Sequence, residues 1–94
     1  MTFTDFKNSV SVNVPPGNLS IYLQALWYDA KGDWKKAHTL IQDIPDKTAS
    51  HIHAYLHRKE GDAFNADYWY SKAGKERPAI SLQKEWEALV NTLL

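Results

Sequence analysis

HIHAYLHRKEGDAFNADYWYSKAG, His51 to Gly74, is the stretch whose reading decides the fold. Ile52, Tyr55 and Leu56 recur at helical spacing before Gly61, and Ala66, Trp69, Tyr70 and Ala73 do so after it. Apolar residues three and four apart fall on one stripe of a helix, the stripe that must be buried. Glycine accepts the left-handed backbone that ends a helix, and an aspartate just after it can cap the next helix by accepting backbone amides. The stretch therefore predicts two helices bent around Gly61, with Asp62 opening the second.

Working outward, Leu19 to Lys31 predicts a first helix, capped by Asn18, with Ile21, Ala25 and Tyr28 on one face and Leu26 beside them. Gly32 ends it. Asp33 then caps a second helix carrying Ala37, Leu40, Ile41 and Ile44, which Pro45 stops. Asp46 or Thr48 opens the third helix, and after Pro78 a last helix headed by Ser81 carries Leu82, Trp86, Leu89, Val90 and Leu93 as a stripe. Residues 1–18 read differently. Val10, Val12 and Val14 alternate with polar residues ahead of Pro15-Pro16-Gly17, a period of two that predicts an extended arm. Phe3, Phe6 and the valines would anchor it across the helices or on another subunit, and a frayed terminus is the alternative. The expected fold is all-α, one domain over 1–94. Its parts are the extended N-terminal arm (1–18), two stacked antiparallel helical hairpins (19–45 and 46–78) and a C-terminal capping helix (79–94).

A chain of 94 residues suits one domain, since domains commonly run to about 100–150 residues. Its 11 basic and 11 acidic side chains balance, so no bulk field draws it to nucleic acid or an anionic membrane. Cysteine is absent, which excludes disulfides and thiolate metal sites and suits a reducing cytosol. MTFTDFKNSVSVNV lacks the basic and apolar regions of a secretory signal, and no apolar run approaches the roughly 20 residues that span a bilayer. The expected setting is soluble and cytoplasmic. Four Trp, five Tyr and three Phe offer enough apolar area to stabilise a small core.

The hairpin is written twice. ALWYDAKGD, Ala25 to Asp33, aligns with AYLHRKEGD, Ala54 to Asp62, when Gly32 is set on Gly61, an offset of 29 residues. In each copy an alanine stands seven before the glycine (Ala25, Ala54) and another five after it (Ala37, Ala66). Small side chains at those places let two helices cross closely, while Ile41 and Tyr70 fill the space beside the crossing. With Ala25, Tyr28, Gly32-Asp33, Ala37 and Ile41 in the first copy, the pattern resembles the tetratricopeptide repeat. Ala54, Gly61-Asp62, Ala66, Tyr70, Ala73 and Pro78 carry the likeness in the second. It covers Asn18 to Pro78 and implies a right-handed superhelical array. The unit is shorter than the family's usual 34 or so residues, and Ser50, His53 and His57 replace bulky apolar side chains. The hairpin also resembles one in a family of small microbial proteins, a likeness that bears on fold alone.

Two faces of the third helix carry the candidate chemistry. The resemblance makes His51, Tyr55, Arg58 and Lys59 the ligand-facing side, with Tyr22, Leu26 and Asp29 as the matching face of the first helix. Arg and Lys can pair carboxylates while Tyr supplies rigid contact area, so the expected function is protein interaction, with a protein or peptide partner. An ordinary solvated face is the plainer alternative, and a homodimer through the arm or last helix is a further possibility. On the other face, His53 and His57 lie four apart, with Glu60 three beyond. The expectation is two core histidines hydrogen-bonded to Asp67 or the Tyr68 and Tyr70 hydroxyls, with no metal and no other cofactor. The alternative is a metal- or small-ligand-binding protein or enzyme using His53, His57 and Glu60, for which the sequence shows no convergent third strong ligand. No HExxH pattern, nucleophile motif or phosphate loop is present, so a non-enzyme is expected.

Overall fold

Six polar side chains set where the helices begin. In the computed structural model, which describes residues Met1–Leu94, there are six α-helices and no strands. They are α1 (Phe3–Ser11), α2 (Ile21–Ala30), α3 (Trp34–Ile41), α4 (Lys47–Lys59), α5 (Ala63–Lys72) and α6 (Leu82–Leu93). Thr2, Ser20, Asp33, Asp46, Asp62 and Ser81 precede them, and each side chain accepts the backbone N–H of the residue three further on. Those amides have no partner inside the helix, which is why a short oxygen-bearing side chain is needed there.

The two Gly-Asp steps make equivalent turns. Gly32 and Gly61 have φ of +84° and +86°, backbone that penalises any residue with a Cβ. In the second turn the Gly61 N–H donates to the Arg58 carbonyl and the Asp62 N–H to the His57 carbonyl, so the end of α4 is satisfied. Asp62 both closes α4 and caps α5. The short connection folds α5 back on α4, as Gly32-Asp33 folds α3 back on α2. Ala54, Ala66 and Tyr70, all at most 1 % exposed, form the close packing between α4 and α5.

The larger core gathers Phe6, Leu26, Ile41, Ile52, Leu56 and Val90 from five helices. α6 packs on both α2 and α4, and Trp86 anchors it by donating from Nε1 to the Leu26 carbonyl at 3.0 Å. Indole carries a large apolar area and one donor that needs a partner when buried, and both are accommodated here.

The N-terminal segment corrects the extended-arm expectation: residues 3–11 are helical. Thr2 accepts the Asp5 amide at 3.1 Å while the Asp5 carboxylate accepts the Thr2 amide at 3.3 Å, a reciprocal capping box. Phe3, Phe6 and Val10 are spaced for one helical face, and the two phenylalanines lie 5.9 and 6.0 Å from the Trp86 ring. Val12 and Val14, the later valines of the alternation, are exposed. Both phenylalanines are anchors as expected, but of a helix. The first-helix boundary also shifts. Asn18 has φ of +63°, a left-handed backbone that asparagine tolerates, so Ser20 is the cap and α2 starts at Ile21. No helix is long and apolar enough to cross a membrane.

Candidate functional site

Five of the residues expected to form one partner-facing surface, Asp29, His51, Tyr55, Arg58 and Lys59, are brought together as a polar layer against α6, while Tyr22 pairs separately with Asp46. Asp29, 2 % exposed, accepts from the Tyr55 hydroxyl and the Lys59 ammonium, both at 2.9 Å. Glu85, also 2 % exposed, accepts from Arg58 Nη1 at 2.8 Å and contacts His51 Nε2 at 3.2 Å. The Tyr70 hydroxyl lies 2.8 and 2.7 Å from the two Glu85 oxygens. Tyr22 donates to Asp46, and Arg58 also donates to the Ile80 carbonyl. Burial, followed by the nearby Asp29 charge, pushes the Tyr55 hydroxyl well above the ordinary phenol value. Burial and the hydrogen bond to Glu85 do the same for Tyr70. Burial alone would raise Glu85, yet hydrogen bonds from His51, Tyr70 and Arg58 together outweigh it and hold the carboxyl below its ordinary range.

Beside this layer runs a groove of about 690 Å³ between the start of α4, the α5–α6 connection and α6. Ile80, Leu89 and Leu93 supply aliphatic wall, Lys47 and Lys75 supply amines, and His51 lines it. Of the expected partner-facing residues, His51 alone lines this groove; Asp29, Tyr55 and Lys59 line a second, smaller one of about 280 Å³ between α1 and α6.

The second constellation stands on the opposite face of α4, where His53 and His57 meet His38 from α3. One ring nitrogen from each lies within 4.8 Å of the other two. His38 Nε2 and His53 Nε2 are 3.0 Å apart, so in the neutral pair one donates and the other accepts. His53 stacks on Trp69 with ring centres 3.9 Å apart, and His38 stacks on Trp34 at 4.8 Å. His57 Nδ1 lies 2.6 Å from Glu60 Oε1, and the carboxylate fixes the tautomer with the proton on Nδ1.

The partners expected on α5 are therefore replaced. Tyr70 is committed to Glu85, Asp67 lies on the surface 3.3 Å from Arg77, and Tyr68 is exposed. Trp69 fills the α5 side with a flat ring, and the polar partner comes from the preceding helical pair. The repeat offset held a signal for this, because the position in the first copy equivalent to Asp67 is His38.

Burial, then the charges of His38 and His57, lowers the His53 imidazole from 6.5 to about 4. Burial, then His57, lowers His38 as well. Between those limits the unfolded chain takes up a proton that folded His53 refuses, so stability falls as pH drops from 6.5 to about 4. The loss from His53 is on the order of 3 kcal/mol by the lower limit. Glu85 adds its loss only as pH falls below its ordinary value of 4.5. Urea unfolding in chelator at about pH 7, 5.5 and 4.7 is expected to show the decline, and His53→Gln to flatten it. A wild-type free energy constant over that range would show that the imidazole is free to protonate in the fold.

Compared with protein-family models, curated proteins and solved structures, the chain matches none.

Proposed function

We propose that the protein is a small interaction module of tetratricopeptide-like build, in which two stacked hairpins and α6 hold a short partner segment in the groove beside Glu85. The groove itself is the observation that supports this. Its volume of about 690 Å³ lies within the range of ligand clefts, roughly 300–1,000 Å³. Aliphatic wall from Ile80, Leu89 and Leu93 suits aliphatic side chains, and the Lys47 and Lys75 amines suit a carboxylate. The partner is accordingly a peptide segment with one or two aliphatic residues and an acidic group. Zero formal net charge gives nucleic acid no general attraction to the molecule.

In this reading Arg58, Tyr70 and His51 fix Glu85, and through it α6, so that the groove is formed before the partner arrives. Preorganisation of that kind reduces the ordering cost of binding. A panel of short fluorescent peptides, acidic-aliphatic against basic and against uncharged, tests it by anisotropy. The acidic-aliphatic set is expected to bind best, and Lys47→Glu with Lys75→Glu to weaken it at least about tenfold, since loss of two charge-assisted contacts exceeds about 1.4 kcal/mol. Lys35→Glu, on α3 away from the groove, is the control. Equal binding by the three peptide classes, or indifference to the double reversal, would overturn the proposal.

A further inference from the structure

His38, His53 and His57 come from two helices of different pairs, and no hydrogen-bond requirement of the fold calls for three imidazoles in one place. One buried neighbour would satisfy His53. We propose that these three side chains form a binding site for a divalent first-row transition ion, zinc foremost, which ties α3 to α4. The donor set is the first reason. Three imidazoles without a thiolate suit zinc, copper, nickel or cobalt, and they discriminate against magnesium and calcium, which take oxygen ligands.

Geometry is the second. Two nitrogens bound to one tetrahedral zinc at the usual bond length stand about 3.3 Å apart. His38 Nε2 and His53 Nε2 already stand 3.0 Å apart, so a spread of a few tenths of an ångström admits the ion once the ring that donates in the neutral pair carries its proton on Nδ1 instead. Glu60 is the third. By accepting from Nδ1 at 2.6 Å it leaves the lone pair of His57 on Nε2, the arrangement in which a carboxylate orients a metal-bound histidine from behind. Glu60 is thereby a positioning residue rather than a ligand. Trp34 and Trp69 stack on the His38 and His53 rings and limit their rotation. Asp62, near His57 and Glu60, is already engaged as the cap of α5 by the Asn65 amide.

Tag-free protein titrated with zinc by calorimetry, and with cobalt by visible absorption, tests the site. One ion per chain, a tetrahedral cobalt spectrum and a raised Tm with zinc are expected. Magnesium and calcium are expected to give none of these. His38→Ala, at a half-buried position, should abolish the stoichiometric binding while keeping the wild-type circular dichroism spectrum, and Glu60→Gln should weaken it by about 10–100-fold. Asp67→Asn, on the exposed surface outside the cluster and the groove, should leave it unchanged. Absence of saturable zinc and cobalt binding by the wild type, or binding that persists undiminished in His38→Ala, would overturn the proposal.

Discussion

Glu85→Ala is expected to cost on the order of 3–5 kcal/mol, because it leaves the partly covered Arg58 charge, the buried Tyr70 hydroxyl and the partly covered His51 without their acceptor. The carboxylate serves Arg58 at 2.8 Å, Tyr70 through both oxygens and His51 at 3.2 Å. After truncation the Arg58 guanidinium, still partly covered, keeps only the Ile80 carbonyl. Small domains are stable by about 5–15 kcal/mol in all, so the variant should sit near the edge of folding at room temperature. Glu85→Gln keeps an acceptor for Tyr70 and should fall between the two. Urea unfolding followed by circular dichroism decides the matter. A midpoint for Glu85→Ala close to wild type would mean that water replaces the carboxylate and that α6 is held by its apolar stripe alone.

Phe6→Ala is expected to cost about 3–5 kcal/mol, the usual range for deleting a buried aromatic ring. Phe6 is fully buried, and its ring centre lies 6.0 Å from that of Trp86. The side chain thus ties α1 to α6, and its loss leaves a cavity that close-packed helices do not readily fill. Val12→Ala, at the exposed C-terminal cap of the same helix, should change stability by less than about 0.5 kcal/mol. Urea unfolding of the two variants checks the contrast. Equal, small effects from both substitutions would show that residues 3–11 do not belong to the core.

Helix positions are legible in the sequence wherever a cap and a stop bracket a periodic stretch. Asp33, Asp62 and Ser81 cap the helices that spacing assigns to them, and Gly32 and Gly61 turn the chain where the repeat places them. The segment 1–18 misleads because valine alternation near Pro15 outweighs a shorter signal, Thr2 with Asp5 three residues on. The face of α4 carrying Tyr55 and Arg58 is legible as a shared face, while its covering is not. Helical phase fixes which side chains point together, but what lies over them depends on where α6 returns, and that is a long-range choice. The same limit hides His38: spacing pairs His53 with His57 along one helix, whereas a third imidazole from α3 arrives only when the two helical pairs meet.

The hydrogen bond from Trp86 to the Leu26 carbonyl joins residues 60 apart in sequence. Each Gly-Asp turn closes a very short loop, so the α2–α3 and α4–α5 pairs can assemble quickly from local contacts. Docking α6 requires a much longer loop to close first, and its entropy is not repaid until Trp86 is seated. Refolding should therefore proceed with helix content gained ahead of indole burial, and the slow event should be the arrival of α6 on a face that the two pairs have already built.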